Sequence, residues 1–132
     1  MPIKDLAITI TAILLGSAGQ LMIKMGLVAC SARYGSIDIA SIWGKIPCIV
    51  RTPHIVAAVL LFLLSAAFWM VVMSKRDLSQ IYPFIALSHL FVTLLAYYFL
   101  KEQIGAWRIA GILIIVMGVI VLAQDKVTTV IN

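Results

Sequence analysis

Gln20 and Lys24 stand four residues apart inside SAGQLMIKMG, Ser17 to Gly26, a stretch otherwise as apolar as lipid. On a helix Gly16, Gln20 and Lys24 fall in one row with Ser17 beside it, while Leu14, Leu15, Leu21 and Ile23 point elsewhere. A small, polar row on a membrane helix faces protein or a cavity rather than acyl chains. An ammonium in that row either pairs with a carboxylate or receives an anionic group. Glu102 and Arg108 are expected at the same side of the membrane as Lys24. The plainer reading of Lys24 is a side chain snorkelling outwards from a helix end.

A second row, Tyr82, Ala86, His89, Thr93 and Tyr97, recurs at spacings of three and four. His89 is expected near mid-membrane, where an ionisable group is costly and therefore usually internal. It suits a proton-sensitive switch or, the favoured reading, a neutral hydrogen-bond donor between helices. Gly111 and Gly118 share one face of the last apolar run, with Gly105 near its start, and allow close helix approach within the chain or across a dimer. The acids are Asp5, Asp38, Asp77, Glu102 and Asp125, none of them in mid-span. No nucleophile–histidine–carboxylate set, carboxylate pair or metal-ligand cluster is spelled out, so neither an enzyme nor a cofactor is expected. Cys30 and Cys48 have no nearby histidine or carboxylate cluster and do not suggest zinc. They read as two free apolar thiols, or as a disulfide if their segment meets an oxidising compartment.

These residues must be positioned by membrane helices. Of the 132 residues, 64% are hydrophobic and 11% charged, too few polar side chains to cover a surface in water, where about a quarter are charged. A crossing takes about 20 residues, so four crossings and their connections use the whole chain as one four-span, all-α membrane domain. The spans are expected at about Leu6–Val28, His54–Ser74, Ser79–Leu100 and Trp107–Gln124. Pro83 is expected in the first turn of the third, where its missing N–H does no harm. LVAC, Leu27 to Cys30, imitates a lipoprotein cleavage box, but Lys24 interrupts the apolar region before it, so the segment is expected to remain as the first span.

Only the first connection is long. Within it Ile39, Ile42, Trp43 and Ile46 repeat at helical spacing, the pattern of a short interfacial helix or of an ordered loop. KRDL and KEQIGA are short and imply antiparallel neighbours in a compact bundle. The formal net charge is +5, but the basic residues are scattered singly as membrane flanks and do not suggest nucleic acid. Lys4, Lys75, Arg76 and Lys126 flank one face, Arg33, Lys45, Arg51, Lys101 and Arg108 the other. The two sides nearly balance, so flanking charge selects no orientation.

From Asp77 to Leu122 the chain resembles the C-terminal half of a four-span unit of the drug/metabolite transporter superfamily. Tyr82-Pro83, Glu102 after span three, GILIIVMGV in span four and GQLMIK in span one carry the likeness. The small multidrug resistance branch couples protons through a glutamate in span one, where this chain has Gly16. The likeness is greater to the small paired subunits of the flippase for aminoarabinose linked to undecaprenyl phosphate. It implies a bacterial inner-membrane subunit that moves a polyprenyl-phosphate-linked sugar, as a homodimer or with a second four-span chain. Lys24, Gln20, Tyr82, His89, Glu102 and Arg108 are the expected substrate contacts; Arg33 or Arg51 is a further candidate for the phosphate. Two alternatives stand beside it: a dimeric exporter of small polar or cationic metabolites, and a non-transporting scaffold for a glycosyltransferase.

Overall fold

The computed structural model describes residues 3–124, which form six helices and no strand. Lys126 and Asp125 lie outside the described residues. The helices are α1 (Ile3–Tyr34), α2 (Ile42–Arg51), α3 (Pro53–Met73), α4 (Leu78–Ile85), α5 (Leu87–Leu100) and α6 (Ala106–Ala123). α1, α3 and the α4–α5 stretch are each long and apolar enough to cross a membrane; α6 is a shorter apolar helix.

α1 is the centre of the molecule, packing on α3 along one side and on α5 along another. Small residues make the α1–α3 approach possible. Ala12 is fully buried in α1 and Ala58 in α3. A Cβ on Gly26 would lie 2.5 Å from Cγ1 of Ile55, and one on Gly19 would lie 3.2 Å from the Phe62 ring. In lipid, dispersion at such close approach replaces the hydrophobic driving force that water supplies. Ser65 adds a directed contact, its buried hydroxyl donating to the Ala12 carbonyl at 2.8 Å. Ser65 is the one hydroxyl in the middle of span two, a signal that the sequence reading passed over.

α1 runs beyond the expected end of its span, to Tyr34. Gly35, at φ +80°, stops it and donates its N–H to the Ser31 carbonyl, the left-handed glycine end that many helices use. Lys45 then donates its ammonium to the Gly35 carbonyl at 3.1 Å and to that of Ser36, tying α2 to the end of α1. Cys30 and Cys48 form a disulfide, with Cα atoms 6.2 Å apart. This overturns the free-thiol reading, and the added turns of α1 explain why. They leave Cys30 within a helix that α2 can fold back upon.

Pro83 also departs from expectation. It lies in the sixth position of α4, past the first turn, where it cannot donate to the preceding turn. The helix breaks at Ala86 and resumes through three-residue bonds, from Ala86 N to the Pro83 carbonyl and from His89 N to the Ala86 carbonyl. Helix α6 lies at the edge, touching α4 and α5, and Val119 is its one buried hydrophobic side chain among the described residues. The bundle is thus an α1-centred core with α6 at its edge.

Candidate functional site

Two cavities lie along the polar row of α1, and Gln20 lines both. One, about 290 Å³, lies between α1 and α5, with Gln20, Lys24, Ala96, Leu100 and Glu102 in its walls. The other, about 240 Å³, is bordered by Gly16, Ser17, Ser65, Trp69 and Ser88. From Ser17 to Lys24 the row climbs about 10 Å along the helix, at about 1.5 Å per residue.

Lys24 Nζ stands 3.4 Å from Glu102 Oε1, with 57% and 37% of the two side chains exposed. The turn after α5 places the carboxylate there. Lys101 adopts a left-handed conformation, φ 57°, and Glu102 N–H folds back to the Ala96 carbonyl at 3.4 Å. The backbone reversal thereby directs Glu102 towards α1. At this exposure the attraction is screened, and such pairs contribute about 0.2–1 kcal/mol. An anion brought to Lys24 therefore displaces little when it competes with Glu102.

Ser17 is 1% exposed, and its hydroxyl has no hydrogen-bond partner among the described residues. A buried unpaired hydroxyl costs about 1–3 kcal/mol. A polar group entering the cavity that Ser17 borders would offset that cost.

The remaining expected site residues lie elsewhere. Tyr82, His89 and Arg108 are exposed and line neither cavity. The His89 ring faces outwards, not into the interior of the chain, and hydrogen-bonds to none of the described residues. Its element explains this: the break at Ala86 resets the facing of α5 relative to α4. Gly111 and Gly118 have open space where a Cβ would be, so neither serves packing within the chain. Asp5 and Arg76, which drew no attention as a pair in the sequence, meet at the opposite end. Arg76 Nη2 and Nε donate to Asp5 Oδ2 at 2.6 and 2.9 Å, joining the start of α1 to the turn after α3. The signal was available, since antiparallel neighbours place both residues at one membrane face.

Comparison with known proteins finds distant relatives. The chain is 32% identical over 76 residues to the probable 4-amino-4-deoxy-L-arabinose-phosphoundecaprenol flippase subunit ArnE of Pseudomonas paraeruginosa, 58% of this chain and 66% of that one. To the ArnE subunit of Hamiltonella defensa it is 34% identical over 56 residues, 42% of this chain and 50% of the relative. To the probable flippase subunit ArnF of Shewanella sediminis it is 26% identical over 135 aligned positions, 96% of this chain and 92% of that one. The chain thus spans a little under two thirds of the first relative's length at the higher identity, and nearly all of ArnF at the lower. It is distantly similar to small flippase subunits. No family model matches the chain, and no solved structure matches it.

Proposed function

We propose that the chain is a four-span subunit of an inner-membrane flippase for a polyprenyl-phosphate-linked sugar. The observation that carries this reading is Lys24, paired loosely with Glu102 beside a cavity between α1 and α5. An anionic head group exchanges Glu102 for its own phosphate at the ammonium, a charge-assisted contact. The sugar then has Gln20, Ser17 and Ser88 as hydrogen-bonding partners along the two cavities. The polyprenyl tail stays in lipid against the exposed apolar faces.

The subunit works as a dimer, either with a second copy or with a second four-span chain. The exposed His89 and the open space over Gly111 and Gly118 support this reading, since a second chain has room to pack there. The Cys30–Cys48 disulfide supports one orientation. Such bonds persist on the oxidising side of a membrane, and on this reading Lys24 and Glu102 belong to the periplasmic end and Asp5 and Arg76 to the cytoplasmic end.

Acylation of Lys24 by an amine-reactive reagent, read by peptide mass spectrometry, tests the contact. Polyprenyl phosphate slows labelling of Lys24 and uncharged polyprenol does not. Equal labelling with both lipids contradicts the reading.

A further inference from the structure

A third cavity, about 370 Å³, lies beside the disulfide and away from the α1–α5 cavity. Arg33 from the last turn of α1, Arg51 from the last turn of α2 and His54 from the first turn of α3 line it. Each arginine stands three residues beyond a bonded cysteine, Arg33 after Cys30 and Arg51 after Cys48. Residues three apart share a helix face, so the bond that joins the cysteines also brings both arginines, each exposed, to the walls of one hollow. No carboxylate lines it. The two ion pairs among the described residues lie elsewhere, at Lys24–Glu102 and Arg76–Asp5, and neither arginine has another partner among those residues.

A basic side chain in the last turn of a helix often does no more than offset the helix dipole. That account covers Arg33 and Arg51 separately, but not their convergence on one cavity that also receives His54 and the positive end of α3. Two like charges brought together without an acid are stabilised by an anion between them. Guanidinium forks match phosphate oxygens through paired N–H donors, and Tyr34 lines the same hollow.

We infer that this cavity is a binding site, built by the disulfide, for a phosphate group, esterified or free. The site stands apart from the Lys24 contact and does not depend on the flippase reading. Its place at the ends of two long apolar helices suits a lipid head group, and free phosphate carries the same chemistry.

Binding is measured on the full chain in phosphatidylcholine nanodiscs, with phosphatidylglycerol and inorganic phosphate as separate probes. At least one of them binds the wild type, and Arg33→Gln with Arg51→Gln weakens that binding by about tenfold or more. Lys101→Gln, the loss of one positive charge at the same end of the molecule, leaves it unchanged. Cys30→Ser with Cys48→Ser weakens it while both arginines remain. Phosphatidylglycerol binding alone assigns the site to a lipid head group; phosphate binding alone assigns it to a free anion. Binding of neither probe overturns the inference, as does binding unchanged by the arginine substitutions or lowered equally by Lys101→Gln.

Discussion

Lys24 Nζ lies 3.4 Å from Glu102 Oε1, and both side chains line the cavity between α1 and α5. The contact joins the first long apolar helix to the turn that leaves the third. It is partly exposed at both partners, so it adds little to the stability of the fold.

Removing either partner should therefore cost little stability but affect function unequally. Glu102→Gln and Lys24→Met each lower stability by no more than about 1 kcal/mol, measured by thermal unfolding in detergent. Glu102→Gln leaves Lys24 free to meet a phosphate and retains its protection from acylation by polyprenyl phosphate. Equal damage to lipid recognition by Glu102→Gln and by a substitution at Lys24 would show that the pair acts as a structural tie.

Asp5 and Arg76 behave differently. Their side chains are 13% and 25% exposed, and the carboxylate oxygen accepts two guanidinium N–H groups. Hydrogen bonds to charged groups contribute about 1.5–3 kcal/mol. Asp5→Asn is expected to destabilise the chain by about that amount, more than Glu102→Gln does in the same unfolding experiment.

Gly26 is packed against Ile55 with no room for a methyl group. Gly26→Ala should destabilise by about 1–3 kcal/mol, the usual cost of overpacking. Ile55→Ala in the same chain should recover part of that loss, and a double-mutant cycle measures the coupling. Additive losses would mean that the two side chains do not compete for the same space.

The disulfide closes a loop between residues 18 apart in sequence, for which chain-entropy reasoning gives about 3 kcal/mol. Cys30→Ser with Cys48→Ser should lower thermal stability by about that much under non-reducing conditions. The untreated wild type should show no thiol accessible to alkylation after unfolding. A chain that alkylates twice without reductant would disprove the bond.

Much of this architecture is legible in the residues themselves. Long apolar runs mark the three helices long enough to cross a membrane, and the Ile39–Ile46 repeat points to what becomes α2. The small and polar row of α1 indicates the side on which cavities form, because Gly16, Ser17, Gln20 and Lys24 share one facing. Features set by chain reversals are harder to read. The left-handed turn at Lys101 has no glycine to announce it, and it decides where Glu102 goes. The break at Ala86 depends on how far Pro83 lies from a helix start that the sequence leaves free by one turn. The disulfide depends on α1 continuing to Tyr34, which apolarity alone does not show.

The rate at which a polyprenyl-phosphate-linked sugar crosses vesicle membranes containing the chain and its native partners tests the central claim most directly. The account predicts that Lys24→Met at equal abundance slows transfer by about tenfold or more, the loss of one charge-assisted contact, while Lys24→Arg retains most of it. Transfer by Lys24→Met at the wild-type rate would contradict it.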